Sequence, residues 1–82
     1  MEDVIAVVRK FIDDNFVMGG DVVIGEDTSF MKEHILDSTG FLELITFIEE
    51  TFHVSVADQE MLPANFDSLR NIDGYLKRKL AA

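Results

Sequence analysis

The chain contains no cysteine. That absence excludes disulfide staples, thiolate metal sites and a protein thiol as nucleophile. No run of 18 apolar residues occurs, so no segment reads as a membrane-spanning helix. The opening Met1-Glu2-Asp3 lacks the basic flank of a secretory signal, and a soluble cytoplasmic protein is the expectation. Basic residues are also scarce: seven Lys and Arg stand against sixteen Asp and Glu, for a net charge of −9. The shortage is local. From Glu33 to Leu69 there is no Lys or Arg, whereas Glu33, Asp37, Glu43, Glu49, Glu50, Asp58, Glu60 and Asp67 all fall there. Such a surface repels nucleic acid and anionic membranes, so neither is an expected partner. It either serves solubility alone or docks onto basic patches of protein partners, with fast association and modest affinity.

Self-sufficient chemistry is missing too. Neither His34 nor His53 has a partner at metal-site spacing, and no metal is expected. The acidic stretch after Asp13 fails as a calcium loop: counted from Asp13, the sixth position is Met18 and the twelfth Ile24, where Gly and Glu are needed. No Gly-Lys phosphate loop or dinucleotide fingerprint occurs, and Ser38, His34 and Asp37 are sequence neighbours without triad geometry. The chain is not expected to be an enzyme. A small hydrolase is a distant third reading.

What remains is an all-α pattern. With 82 residues and 48% apolar content, the chain reads as one domain, residues 1–82, with enough material for a core. The first helix is expected from Glu2 to about Asn15, with Val4, Ile5, Val8, Phe11 and Ile12 on one face. Residues 16–36 lose periodicity and read as a long loop, with one helical turn near Ser29 to Glu33. Val22-Val23-Ile24 has strand character but no partner strand. A second helix is expected from Ser38 to Phe52, its core face carrying Phe41, Leu44, Ile45, Ile48 and Phe52. Leu42 and Phe47 lie off that stripe, and Phe47 projects beside Glu43 and Glu50. It is either an edge-of-core residue or part of an acid-rimmed contact patch. A short piece around Asp58 to Phe66 follows, with Pro63 suited to a first helical position. Ser68 then caps a last helix to Leu80, with Leu69, Ile72, Tyr75, Leu76 and Leu80 as its stripe.

The entrance of the second helix carries the most information. Asp37 and Ser38 are both common helix caps. A hydroxyl at this place also lies beside unpaired N–H groups and the positive end of the helix dipole, which suits a phosphate. Both readings follow from the residues alone.

A wider pattern separates them. Asp27-Thr28-Ser29-Phe30, Ile35-Leu36-Asp37-Ser38-Thr39-Gly40, Leu42-Glu43-Leu44, Ile48-Glu49-Glu50-Thr51-Phe52 and Leu62-Pro63-Ala64-Asn65-Phe66-Asp67-Ser68 together resemble the acyl carrier protein family. The resemblance implies a four-helix bundle with three main helices, one short helix and a long first loop. It implies that Ser38 carries 4′-phosphopantetheine from coenzyme A, and that Asp37 is the acid recognised by the phosphopantetheinyl transferase. Glu43, Glu49 and Glu50 match the family's docking acids. With Thr39, Leu42 and Phe47 they make the expected face for ligase, transferase or synthase partners. The arm would supply the thiol that the chain lacks. Thr39 and Gly40 replace the Leu and acid that fatty-acid-synthesis carriers commonly show after Asp-Ser. The Asp-Ser-x-Gly form is more similar to stand-alone carriers served by acyl or aminoacyl ligases, including the D-alanyl type. Gly40 costs about 1 kcal/mol in a helix relative to Ala, so a packing or docking reason is expected for it. The expected protein is a monomer. The competing reading is an acidic helical adaptor that binds a basic partner and carries nothing.

Overall fold

The computed structural model describes residues 3–17 and 24–81. Among these residues the architecture is all-helical: α1 (Val4–Ile12), α2 (Ser38–Phe52), α3 (Pro63–Phe66) and α4 (Leu69–Ala81), with a π turn at Asp13–Val17 and a 3₁₀ turn at Asp58–Glu60. No helix among them is long and apolar enough to cross a membrane.

α1 starts where Asp3 accepts a hydrogen bond from the Ala6 N–H, and it buries Val4, Val8 and Ile12. The sequence places its end near Asn15, but the winding continues. Asn15 donates its side-chain amide to the Phe11 carbonyl (2.8 Å) and the helix widens into the π turn. This turn carries Phe16 and Val17 onto the core, a tertiary gain that overrides the local stop signal. Glu2, Val22 and Val23 lie outside the described residues; Ile24 is buried and belongs to no strand.

The expected helical turn near residue 30 is present. It ends at His34 in the left-handed region (φ 57°), with His34 N–H bonded to Met31 O (3.2 Å) and Ile35 N–H to Phe30 O (2.8 Å). α2 stops in the same manner at His53 (φ 57°), with Val54 N–H reaching Glu49 O (3.3 Å). Both histidines therefore serve as left-handed stops, a conformation in which His is enriched among non-glycine residues.

The expected helical turn starting at Pro63 is present as α3, and a 3₁₀ turn at Asp58–Glu60 precedes it. Pro63 lacks an N–H and forces Leu62 into an extended conformation, so no continuous helix can cross it. Glu60 anchors this segment: it accepts from the Ala57 N–H (3.0 Å) and pairs with Lys79 of α4 (2.8 Å). The Lys79 ammonium holds its carboxyl below the usual glutamate range.

α1 and α3 pack on α4. Two aromatic contacts draw α2 into the bundle: Phe47 stacks on Phe11 with ring centroids 4.0 Å apart and Phe41 meets Phe66 edge-on at 6.2 Å, while Phe66 of α3 tilts against Tyr75 of α4 at 4.8 Å. Leu69, Ile72, Tyr75 and Leu76 form the buried stripe of α4. Leu80 is a correction to the expected stripe. It is 50% exposed, on the lip of a groove shared with Ile5, Phe52 and Leu76, because the last turn of α4 has no element over it among the described residues.

Candidate functional site at the α2 entrance

Asp37 is the N-cap of α2, and its carboxylate accepts from the Gly40 N–H at 2.7 Å. Its backbone carbonyl accepts the first intrahelical bond, from Phe41 N–H (2.8 Å). With the cap made by Asp37, Ser38 sits exposed at the first helical position, and its hydroxyl has no hydrogen-bond partner among the described residues. The N–H groups of Ser38 and Thr39 belong to the set that a helix leaves without internal acceptors. The place combines a free hydroxyl, free N–H donors and the positive end of a 15-residue helix.

Gly40 has a packing explanation. A methyl group there would stand 3.0 Å from the Phe16 ring and 3.3 Å from both the Asp37 carboxylate and Leu36 Cδ2. Phe16 comes from the π turn, which runs to Val17, two residues past the helix end expected at Asn15. The residue that necessitates Gly40 therefore sits in the stretch whose periodicity had faded, and only the fold brings the two together.

Beside the serine, a groove of about 340 Å³ is lined by Phe16, His34, Ile35, Asp37, Thr39, Gly40 and Glu43. A second, of about 460 Å³, runs between α1 and α2 and is lined by Phe11, Asn15, Thr39, Leu42, Glu43, Thr46, Phe47 and Glu50. The expected face thus has a concave part next to Ser38. Its members are not equivalent. Thr39, Glu43 and Glu50 are exposed, and Leu42 is 56% exposed, an apolar side chain that shares the second groove with Glu43 and Glu50. Phe47 is half-buried because α1 presents Phe11 as a stacking partner. Glu49 is half-buried and accepts the Val56 N–H at 2.9 Å, so its carboxylate already has an internal task. The sequence reading did not single out Phe11, Asn15 or Phe16 for this site. Phe11 reads from sequence as core face, Asn15 as the end of the first helix and Phe16 as the start of the long loop, so none of them carries a site signal of its own.

Among the described residues, no group of three or more His, Asp and Glu is placed to hold a metal. An exposed hydroxyl at a helix start thus lies beside a groove rimmed by Glu43 and Glu50. No family model matches the chain. The chain is 34% identical over 64 residues to the D-alanyl carrier protein of Abiotrophia defectiva, a match covering 76% of this chain and 81% of that relative. It belongs to the carrier-protein family of acyl carrier type, and its function is that of a carrier and not of an enzyme.

Proposed function

We propose that Ser38 is the attachment point of a 4′-phosphopantetheine arm taken from coenzyme A, and that the chain presents acyl or aminoacyl groups held on that arm to partner enzymes. The observation that carries this is the division of labour at the α2 entrance: Asp37 makes the cap, which leaves the Ser38 hydroxyl exposed. The residues suit such a group, since the hydroxyl is unspent and the neighbouring N–H donors favour a phosphodiester. When bound, the arm supplies the thiol for thioester chemistry that a cysteine-free chain cannot.

The chain's own residues then have distinct tasks. Asp37 fixes the entrance of α2 and offers a carboxylate for the transferase to read. Thr39, Leu42, Glu43, Phe47 and Glu50 form the docking face, with Leu42 as its apolar contact and Glu43 and Glu50 as its exposed charges. Glu49 supports that face from behind by holding the turn at Val56. Partners with basic patches are steered to it by the base-free acidic stretch. The relative's name, with Asp-Ser-x-Gly in this chain, favours an aminoacyl cargo of the D-alanyl type, loaded by a ligase in the cytoplasm onto a monomeric carrier.

Incubation with a broad-specificity phosphopantetheinyl transferase, Mg²⁺ and coenzyme A, followed by mass spectrometry, tests the reading. The expected result is one added arm in the wild type and none in Ser38→Ala. No gain in the wild type, or an equal gain in the variant, overturns it. Loading of the modified protein by D-alanine ligases and fatty acyl ligases in parallel then decides the cargo.

A further inference from the structure

The stretch from residue 25 to 36 delivers the chain to Asp37 and Ser38, so whatever fixes that stretch fixes the serine. Its centre is a closed turn around buried Phe30, whose carbonyl accepts from the N–H groups of both Ile35 (2.8 Å) and Leu36 (3.2 Å). Leu36 is itself buried and directly precedes the α2 cap. Asp67, in the corner between α3 and α4, holds this turn from outside. It commits three acceptor atoms to it: its carboxylate accepts from Met31 N–H (3.0 Å) and from the Ser29 hydroxyl, and its backbone carbonyl accepts from Phe30 N–H (2.9 Å). Its own N–H is tied to Pro63 O (2.9 Å), so the grip is rooted in α3. The other side-chain tether of the stretch, Arg70 to Asp27, is exposed on both sides and adds little in water.

From this linkage we infer that Asp67 is a positioning residue for Ser38: through the Phe30 turn it sets where the α2 entrance presents its hydroxyl to the modifying enzyme. The inference rests on reading Ser38 as the attachment site. Its physical basis is that group transfer is sensitive to placement, a shift of about 1 Å costing on the order of 100-fold in rate. Asp67→Ala removes both carboxylate bonds to residues 29–31 but leaves the cap of α4, which is made by Ser68. The role cannot be seen locally, because the partners lie 36 and 38 residues apart in sequence.

The test compares Asp67→Ala, Asp67→Asn and Ser68→Ala with wild type. The last variant weakens α4 without touching the loop. Arm attachment is followed by mass as kcat/KM of the transferase, well below the lowest Tm, and backbone amide exchange is measured at Met31, Leu36, Gly40 and along α4. For Asp67→Ala the expected result is a drop of roughly tenfold in kcat/KM, with faster exchange at Met31, Leu36 and Gly40 and α4 unchanged. Asp67→Asn, which keeps an oxygen acceptor, recovers most of the rate, and Ser68→Ala attaches the arm at the wild-type rate. Attachment to Asp67→Ala at the wild-type rate overturns the inference, as does a loss matched by Ser68→Ala or accompanied by faster exchange throughout α4. Should the wild type gain no arm, the reading of Ser38 fails instead. The exchange data still decide, since an unchanged Gly40 amide, whose bond to Asp37 closes the α2 entrance, refutes the linkage on its own in Asp67→Ala.

Discussion

The dipeptide Asp-Ser occurs at 37–38 and again at 67–68, each time at the start of a helix, and the two copies divide their tasks in opposite ways. At α2, Asp37 caps and Ser38 is exposed. At α4, Ser68 caps, accepting from the Asn71 N–H at 3.1 Å, and is buried, while Asp67 turns away to hold the long loop. The apolar stripes explain the difference. Phe41, Leu44 and Ile45 stand at the same offsets from Asp37 as Ile72, Tyr75 and Leu76 do from Ser68. The cap position is therefore the same in both helices, and the dipeptide is shifted along it by one residue. The place after the cap holds exposed Ser38 in α2 and fully buried Leu69 in α4. A motif read without its register would assign both serines the same work.

The largest expected effect breaks the two serines apart. Ser38→Ala is expected to abolish arm attachment, while Ser68→Ala retains the full mass gain; equal behaviour of the two would refute the contrast. Next, Asp37→Asn separates capping from recognition, because Asn caps as well as Asp but carries no charge. Its Tm should match wild type, while transfer by the phosphopantetheinyl transferase falls by about tenfold, the worth of one charge-assisted contact. A wild-type rate in that variant would show that Asp37 acts by capping alone.

Third in size, Asp37→Ala and Ser68→Ala should each lose about 1 kcal/mol. In a chain of this length that lowers Tm by about 4–8 °C in thermal melts. The helix glycines sharpen the comparison further. Gly74→Ala in α4 meets only the end of Arg78, at 3.5 Å, and should gain up to about 1 kcal/mol from helix propensity. Gly40→Ala should lower Tm, because its methyl presses on Phe16, Leu36 and the capping carboxylate at once. If both substitutions raise Tm, the Phe16 explanation of Gly40 is wrong.

The smallest effect concerns pH. The Glu60 carboxyl is held low in the folded state, chiefly by its hydrogen bond to Lys79. Its contribution is present above the ordinary glutamate pKa of about 4.3 and is lost as pH falls through the lowered value. The stability difference between wild type and Glu60→Gln, followed by melts on descending pH, should therefore shrink in that acid range. The pair is solvent-accessible, so the change is expected to be slight.

Much of the fold is legible in the sequence, and the reason is visible in particular residues. The span Ser38–Phe52, the place of Pro63 at the start of α3 and the cap at Ser68 all follow from short-range rules of periodicity, proline geometry and capping. The same local rules failed at Asn15, where a favourable stop residue was overridden by core contacts of Phe16 and Val17. They failed again at Leu80, whose spacing fits the stripe but whose turn nothing covers among the described residues. Of the expected docking face, charge and exposure at Glu43 and Glu50 were readable from helix angle alone. The internal use of Glu49 was not, since its partner Val56 lies beyond the helix end.

The sequence by itself determined the helical class, the acidic character, the cap at Ser68 and the absence of any thiol of the chain's own. Each of these depends on composition or on residues within one helical turn of one another. Only the tertiary structure decided why Gly40 must be glycine, which acids remain free for a partner, and that Asp67 reaches back to the turn that precedes Ser38. Those depend on atoms brought together across tens of residues, where chain folding, and no local pattern, sets the distance.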